Sequence, residues 1–250
     1  MPSAVRLVVP CFDEERRLDV AAFRAGLAAA PGLAFTFVDD GSGDGTRARL
    51  EAFAREAPDR VEVVALPENR GKGEAVRAGV RAALGHAPDF VGWWDADLAT
   101  PLDEVPRLEA ALAARPAAWL AMGARVQRLG SEIRRRAVRH YAGRLVATCI
   151  SRGLGLRAYD TQCGAKLFRA AATPAGLFDA PFVTRWLFDV EVLARLLRRH
   201  RDGLGAAVDT LVVEVPLLRW SDVPGSKVRP TDFFRALLGV RRIRRHYRLP

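Results

Sequence analysis

The stretch that decides the fold is "AFTFVDDGSGDGT", residues 34–46. It begins with an apolar, aromatic run typical of a buried strand, and it then places two adjacent aspartates, Asp39 and Asp40, before a series of turn-forming residues. A loop that only connects a strand to a helix does not need two carboxylates at that point. What Asp39 and Asp40 bind is therefore the first question that the sequence raises.

The first half of the chain alternates between strand-like and helix-like segments. Apolar, β-branched or aromatic runs predict strands at 5–9, 34–38, 61–66, 89–94 and 118–124. Helices are predicted between them, at 14–30, 45–57, 72–85 and 102–115. This alternation predicts an α/β fold with a mostly parallel sheet covered by helices on both faces. Ligands of such sheets bind at the carboxyl ends of the strands, so the residues that follow each strand are the candidates for a site.

The second half loses this rhythm. It predicts helices at 132–153, 186–200 and 231–247 and a strand at 209–218. In the first of these helices, one face is expected to carry Ile133, Ala137, Tyr141, Leu145 and Cys149. We expect a single domain over 1–250, made of a first half (1–124), a basic second half (125–228) and a basic amphipathic C-terminal helix (229–250).

Composition and charge exclude several classes of protein. The 250 residues carry a net charge of +10, and this charge is concentrated at 123–157, with nine Lys or Arg against one acidic residue, and at 229–250, with seven against one. Such patches suit nucleic acid, anionic lipid or a phosphorylated substrate. The three cysteines and four histidines show no disulfide or zinc spacing. No signal peptide or apolar run of about 18 residues is present, so we expect a cytoplasmic protein.

The sharpest motif is "DAD", residues 95–97, directly after the predicted strand that ends in Trp93 and Trp94. Two carboxylates at such a point are costly to bury unless a positive charge lies beside them. Mg²⁺ or Mn²⁺ meets that need, because these hard cations prefer carboxylate oxygens together with substrate phosphates. The alternative is a solvated turn that caps the following helix.

Polar residues also follow the neighbouring strands. The carboxylate of Asp40 is placed to accept a hydrogen bond from a ring N–H of a base such as uracil, or it only starts a turn. For Asp44 we favour capping of the helix that begins near Thr46. In "NRGKGEA" (69–75), Lys72 lies between two glycines at a helix start. Its amine can therefore approach a diphosphate or a sugar without steric hindrance.

Taken together, these motifs resemble the family 2 glycosyltransferases with the GT-A fold. "VVPCFDEE" (8–15) resembles their opening motif, "VDDGSGDGT" (38–46) their base-binding motif and "DAD" their metal-binding DxD motif. Further matches, to the dolichyl-phosphate β-glucosyltransferase branch and its polyprenol-phosphate relatives, are "DADLATP" (95–101), "DTQCGAKLF" (160–168), "WLFDVEVL" (186–193) and "VEVPLLRWSDVPGSKV" (213–228). The resemblance covers residues 5–228 and implies a Rossmann-like GT-A fold. It implies that 1–124 is a nucleotide-sugar-binding half and 125–228 an acceptor half.

The resemblance also implies a role for each matching residue. The base and ribose would be surrounded by Pro10, Phe12, Glu14, Val38 and Asp40. The ribose, diphosphate and metal would be met by Asp95, Ala96 and Asp97, with Asp97 the closer metal ligand. Arg125 would lie near the phosphates or the acceptor, and Lys227 would close over the diphosphate. In one departure, Ala99 stands where the mannosyl enzymes often have a metal-binding Gln, which puts a third protein ligand in doubt.

The reaction implied is transfer of a hexose with inversion, from UDP-glucose by preference or from GDP-mannose. The metal, Lys227 and Arg125 would stabilise the charge that develops on the leaving diphosphate. A polyprenyl or dolichyl phosphate acceptor is already anionic and needs no strong base. A hydroxyl acceptor does need one, and Asp160 is then the candidate, although bracing of its own loop is an equal alternative.

A lipid phosphate acceptor would also explain the basic segment at 125–144. The acceptor phosphate and an anionic membrane surface would be met by Arg125, Arg134, Arg135, Arg136 and Arg139. The C-terminal helix would lie in the membrane interface, with Phe233, Phe234, Leu237 and Leu238 inserted, or would pack on the domain. The expected location is therefore the cytoplasmic face of a membrane, with peripheral association.

Two rival functions come from other classes. A sugar-phosphate nucleotidyltransferase expects a glycine-rich loop directly after the first strand, and "PCFDEE" (10–15) contains no glycine. A basic nucleic-acid-binding protein accounts for the arginines but not for "DAD", and it predicts binding that falls steeply with salt. We therefore expect a nucleotide sugar and a lipid phosphate as partners, and no nucleic acid.

Overall fold

The first half of the chain folds as the predicted alternation of strands and helices. The structure is a computed structural model that describes residues 3–134, 137–223 and 232–249. Its first elements are β1 (Val5–Cys11), α1 (Val20–Ala29), β2 (Leu33–Asp39), α2 (Thr46–Glu56), β3 (Val61–Ala65), α3 (Lys72–Gly85), β4 (Phe90–Trp93), α4 (Val105–Ala114) and β5 (Leu120–Ala124). A 3₁₀ turn, Leu102–Glu104, leads into α4. Each predicted strand is confirmed, and α1 begins later than expected because residues before Val20 form turns.

The second half contributes shorter strands and longer helices. They are β6 (Glu132–Arg134), α5 (Ala137–Leu154), β7 (Lys166–Arg169), α6 (Phe188–Arg201), α7 (Val208–Leu211), β8 (Val212–Pro216), β9 (Arg219–Ser221) and α8 (Asp232–Tyr247). Within the described residues, seven strands form one sheet in the order β3-β2-β1-β4-β7-β5-β8, and β6 pairs with β9 separately.

The sheet is mostly parallel, as predicted. The β1–β2, β2–β3, β1–β4 and β5–β8 pairs are parallel, whereas β7 runs antiparallel to both β4 and β5. The register sets Cys11 beside Asp39 and Val8 beside Trp93, so the carboxyl ends of these strands meet at one edge. That edge is where the sequence predicts the site.

Helices cover both faces of the sheet and bury separate clusters of apolar side chains. On one face, α1 and α2 contribute Phe23 and Phe53, whose rings meet those of Phe35 and Phe37 edge-on or tilted. On the other face, α3 and α6 pack on β1 and β4. The α3 contact requires Gly79, because a Cβ there would lie 2.3 Å from a methyl group of Val8.

Two predictions for the second half are wrong. The helix expected from residue 132 begins at Ala137, because 132–134 pair with β9 as a short strand that buries Ile133. The predicted helix face is also shifted, since Leu145 is exposed and the buried positions are Val146, Ile150 and Leu154. The four-residue spacing was right, but the buried stripe begins one residue later than the pattern placed it.

Helices α5 and α8 form a layer beside the sheet. Val146 and Ile150 of α5 share a buried cluster with Ala236, Val240 and Ile243 of α8. The C-terminal end of α8 is tied to α6, where the hydroxyl of Tyr247 donates to Glu191 at 2.7 Å and accepts from Arg195 at 2.9 Å. Across the described ranges, none of the helices combines the length and the apolar character that crossing a bilayer requires.

Candidate functional site

A cleft of about 780 Å³ opens at the carboxyl edge of the sheet. Its walls include strand-end residues of β1, β2, β4 and β5, among them Pro10, Phe12, Glu14, Asp40, Asp95, Ala96, Asp97 and Arg125. The first residue of α3, Lys72, also faces this space. The expectation that Asp40 and the "DAD" carboxylates share one cleft is confirmed.

Asp40 anchors the loop that leads into α3. Its two oxygens accept from the backbone N–H groups of Arg70 and Gly71, each at 2.8 Å. Gly71 has φ +94°, a left-handed conformation that glycine adopts without strain. Burial raises the pKa of Asp40, and the two backbone hydrogen bonds oppose that shift. Asp40 thus fixes where α3 and Lys72 begin, in addition to lining the cleft.

Asp95 is held by a cation on one side and by a glycine on the other. Lys72 Nζ donates to Asp95 Oδ1 at 2.5 Å. Burial alone would raise the pKa of Asp95, but the charge and hydrogen bond of Lys72, together with the charges of Arg125 and Lys166, lower that pKa. A Cβ on Gly164 would lie 1.9 Å from Asp95 Oδ2, so only glycine leaves room for this carboxylate.

Asp97 lies in a different electrostatic environment. Arg17 Nη2 donates to its Oδ2 at 2.7 Å, and the backbone N–H of Ala99 donates to its Oδ1 at 3.1 Å. Burial raises the pKa of Asp97, the neighbouring charge of Asp95 raises it further, and Ala99 and Arg17 act in the opposite direction. Both "DAD" carboxylates are therefore half-buried beside cations, which agrees with the positive charge that the sequence analysis expected next to them.

Arg125 and Asp160, which also line the cleft, form a bidentate ion pair. Arg125 donates from Nε and Nη2 to the two oxygens of Asp160 at 2.6 and 2.7 Å, and its backbone N–H donates to Oδ2 at 3.1 Å. Burial alone would raise the pKa of Asp160, but Arg125 lowers it to about 2. A carboxylate with so low a pKa and both oxygens engaged is a weak base, so the geometry favours the bracing role.

The family model described as Glycosyl transferase family 2 matches residues 7–176. The chain belongs to glycosyl transferase family 2. The dolichyl-phosphate beta-glucosyltransferase of Drosophila melanogaster is 32% identical over 242 residues, covering 90% of this chain and 69% of that protein. The undecaprenyl-phosphate 4-deoxy-4-formamido-L-arabinose transferase of Pseudomonas fluorescens is 32% identical over 179 residues, covering 69% and 49% respectively.

Solved structures agree with this glycosyltransferase assignment at the level of the fold. Glucosyl-3-phosphoglycerate synthase from Mycobacterium tuberculosis in complex with UDP has a TM-score of 0.66 at 20% identity, covering 99% of this chain and 81% of that one. The same enzyme in complex with Mn²⁺, UDP-glucose and glycerol 3-phosphate has a TM-score of 0.67 at 19% identity, covering 99% and 81%. The expected GT-A α/β fold is confirmed.

The structure brings most of the predicted donor-site residues of this glycosyltransferase together. Val38 is the exception among those it describes, because its side chain is fully buried in the cluster between the sheet and α3 and does not line the cleft. Lys227 lies outside the described residues. The expected cap is confirmed in part: Asp44 accepts from the N–H of Thr46 at 3.0 Å, although Gly45 occupies the N-cap position.

Of the predicted acceptor arginines that the structure describes, Arg125 lines the cleft and Arg134 does not. Arg134 is exposed on β6, away from the cleft lining, and lies 3.9 Å from Glu132. Arg135 and Arg136 fall outside the described residues, as does the side chain of Arg139. The arginines of the α5–α8 layer that line the cleft are Arg144 and Arg235. Arg144 donates to the carbonyl of Tyr159 at 2.8 Å, and its guanidinium lies 3.6 Å from the centre of that ring.

The donor set fits a divalent cation held jointly with the substrate. Asp95 and Asp97 supply carboxylate oxygens, the ligand type that Mg²⁺ and Mn²⁺ prefer. Within the ranges that the structure describes, no group of three or more His, Cys, Asp or Glu residues is placed to hold a metal. The methyl group of Ala99 offers no further ligand. A cation here would take its remaining ligands from water and from donor phosphates.

The sequence analysis missed several residues of the site. Arg17 was hidden in the charged run "DEERR" (13–17), and Gly164 in the middle of "DTQCGAKLF". Glu214 was read as part of a strand, yet its carboxylate accepts from the N–H groups of Tyr159 and Asp160 and so fixes the loop that holds Arg125. A charged residue within a predicted buried strand was the signal available for Glu214.

Proposed function

We propose that this family 2 glycosyltransferase transfers a hexose, with inversion, from a nucleoside diphosphate sugar to a polyprenyl phosphate, and that the donor is UDP-glucose. The observation that carries the proposal is the composition of the cleft. The cleft is lined by Asp40, Lys72 and the "DAD" carboxylates and also by Arg125 and Arg144. This suits an anionic donor that meets an anionic acceptor.

The donor side of the proposal rests on charge. A divalent cation bound at Asp95 and Asp97 would neutralise the leaving diphosphate, and Lys72 and Arg125 would add positive charge beside it. Asp40 is proposed to contact the base directly or through the Arg70–Gly71 loop that it anchors. UDP is preferred because the relatives at 32% identity are named beta-glucosyltransferases and because the structures with UDP or UDP-glucose share the fold.

The acceptor side of the proposal rests on the state of Asp160, the candidate base. A hydroxyl acceptor needs a carboxylate to take its proton, and Asp160 is engaged with Arg125 at a pKa of about 2. A phosphate acceptor is already ionised near neutral pH and needs arginines to hold it. Arg144 and Arg235, which line the cleft, take the place of Arg134 in this proposal. The names of the curated relatives, dolichyl-phosphate and undecaprenyl-phosphate transferases, agree with such an acceptor.

The test is a transfer assay with labelled UDP-glucose or GDP-mannose, polyprenyl phosphate or the matching free alcohol, and Mn²⁺. We expect product from UDP-glucose and the phosphate alone. Asp97→Ala should remove most of the activity, whereas Asp59→Ala, at an exposed turn before β3 on the opposite edge of the sheet, should not. Transfer to the alcohol, or full activity of Asp97→Ala, would contradict the proposal.

We also propose peripheral association with an anionic membrane. Leu145 of α5 and Leu237 and Leu238 of α8 are exposed, and α8 carries Arg241 and Arg242 on its exposed surface. Both helices contribute cleft-lining residues, Arg144 in the middle of α5 and Arg235 in the first turn of α8, so a bilayer at this surface would lie beside the cleft. Basic residues gain on the order of 1 kcal/mol each near anionic lipid.

A further inference from the structure

Each "DAD" carboxylate is paired with a cation from a different part of the chain: Asp95 with Lys72 at the start of α3, and Asp97 with Arg17. The proposed reaction gives Lys72 a role but gives Arg17 none. Arg17 reaches Asp97 from the turn after β1, at 2.7 Å, while its Nε lies 3.5 Å from a carboxylate oxygen of Glu14. The three side chains all line the cleft. The family resemblance also implies that Asp97 is the closer metal ligand.

We propose that Arg17 is a resident counter-ion of the metal site, which occupies Asp97 in the ligand-free protein and turns to the donor diphosphate when a divalent cation takes that carboxylate. Arg17 would then favour binding of the metal together with the nucleotide over binding of the free metal. The inference rests on the proposed function, since it assumes that the donor is a metal-bound nucleoside diphosphate.

Arg17 and a divalent cation compete for the carboxylate of Asp97. A guanidinium and a divalent cation cannot both occupy Asp97 Oδ2, and their like charges repel at the short distances of this half-buried site. Free metal must therefore displace a charge-assisted hydrogen bond before it binds. Asp95 is also taken, by Lys72, so free metal meets no unoccupied carboxylate in the "DAD" motif.

Arg17 keeps Glu14 as a partner after it leaves Asp97. Glu14 already lies within ion-pair distance of its Nε, so the guanidinium stays at the cleft wall when Oδ2 is lost. A diphosphate that enters the cleft offers it bidentate oxygens, which guanidinium groups bind well. Because the nucleotide binds the displaced guanidinium, it lowers the free-energy cost of removing Arg17 from Asp97. Binding of nucleotide and metal is coupled, and the coupling is reciprocal.

The experiment measures Mn²⁺ affinity from the electron paramagnetic resonance signal of free Mn²⁺, without and with UDP. Arg17→Gln should bind Mn²⁺ alone about ten-fold more tightly than the unmodified protein, because a repelling charge is gone. The tightening of Mn²⁺ binding by UDP should shrink by about the same factor. Arg17→Lys keeps the charge and should stay close to the unmodified protein. The matched control is Arg16→Gln, at an exposed position outside the cleft lining, which should change neither value.

The outcomes separate this inference from the proposed function. If Arg17→Gln binds Mn²⁺ equally or more weakly while UDP and Mn²⁺ still bind, the counter-ion role is overturned and the transferase proposal stands. Equal tightening in Arg17→Lys and Arg17→Gln also overturns it, because charge would not be the cause. If the unmodified protein binds no Mn²⁺ in the presence of UDP, both proposals fail. If Arg17 only supported the structure of the site, Arg17→Gln would bind Mn²⁺ more weakly, which is the opposite of the expected change.

Discussion

At the scale of single residues, the site depends on how closely backbone and side chains approach each other, and Gly164 is the clearest case. It follows the loop that carries Asp160, and it lies against the carboxylate of Asp95. In Gly164→Ala the added methyl would start 1.9 Å from Asp95 Oδ2, so the carboxylate must leave its position beside Lys72. We expect kcat/KM to fall on the order of 100-fold, the effect of a misplaced functional group.

A matched glycine variant controls for this substitution. Gly85, at the end of α3, has nothing within 4 Å of an added Cβ and does not have a positive φ. Gly85→Ala should therefore leave activity unchanged and keep or slightly raise the melting temperature. Unchanged kinetics in Gly164→Ala would show that Asp95 need not stay where the structure places it.

The low pKa of Asp160 gives a prediction for stability against pH. Because the folded pKa, about 2, lies below the ordinary value of 3.8, the ionised carboxylate stabilises the fold above pH 3.8, and this stabilisation is lost as the pH falls towards 2. Asp160→Asn should lower the free energy of unfolding at neutral pH by about 3–5 kcal/mol, since Arg125 is left without its partner. The gap between the two proteins should be constant above pH 3.8 and narrow below it, as measured by urea unfolding.

The same pair separates the bracing role from that of a general base. If Asp160 braces Arg125, kcat shows no ionisation of Asp160 above about pH 4, and Asp160→Asn loses stability as well as activity. A variant that keeps its full stability but loses kcat alone would restore Asp160 as the base.

At the scale of elements, β7 is the strand on which the two halves of the sheet depend. It is antiparallel to both neighbours and carries Lys166, whose side chain is fully buried. Lys166 Nζ lies 2.8 Å from Asp189 of α6 and donates to the carbonyl of Cys163 at 2.5 Å. Asp189 also accepts from Trp93 Nε1 at 2.9 Å. One buried cation thus joins β7, α6 and the loop before Gly164.

Lys166→Met should destabilise the fold by about 3–5 kcal/mol, because Asp189 would remain buried without a compensating charge. Urea unfolding measures the loss. The double variant Lys166→Met, Asp189→Asn should recover part of it, since the uncompensated charge is removed. A double variant whose loss equals the sum of the two single losses would mean that the two side chains do not stabilise each other.

The elements also show how far the sequence alone predicts this fold. Helices and strands with strong periodicity, such as α3 at Lys72–Gly85, were predicted to within a residue or two because local pattern decides them. β7 was missed because it is short and is placed by pairing with β4 and β5, which are distant in the chain. β6 was taken for helix for the same reason, since its partner β9 lies far downstream.

The site divides in the same way. Aspartates at strand ends were predictable because the parallel sheet brings strand ends together, and Asp40 and Asp97 do share the cleft. Arg144 was missed because it reaches the cleft through the packing of α5 beside α8. Side chains whose position depends on helix packing carry no local signal of the site that they join.

At the scale of the whole molecule, the cleft joins an acidic strand edge to a basic helical layer, and the outer surface of that layer is the one that we propose to bind the membrane. Leu237 and Leu238 are exposed on α8, whose far end is fixed to α6 through Tyr247. Replacing both by Ser should therefore leave the fold intact and remove apolar area that a bilayer would bury.

We expect the unmodified protein to sediment with anionic vesicles, more weakly as salt rises, and hardly at all with neutral ones. The double variant Leu237→Ser, Leu238→Ser should bind vesicles more weakly by about ten-fold or more. Burial of a leucine side chain contributes about 1.5–3 kcal/mol, and each substitution would remove a large part of that contribution. Leu204→Ser, at an exposed turn outside α5 and α8, is the control and should bind as the unmodified protein does. Transfer to a short-chain, water-soluble polyprenyl phosphate should be the same in all three proteins, since the cleft is untouched. If the double variant loses activity on the soluble acceptor as well, those leucines belong to the acceptor site rather than to a membrane-binding surface.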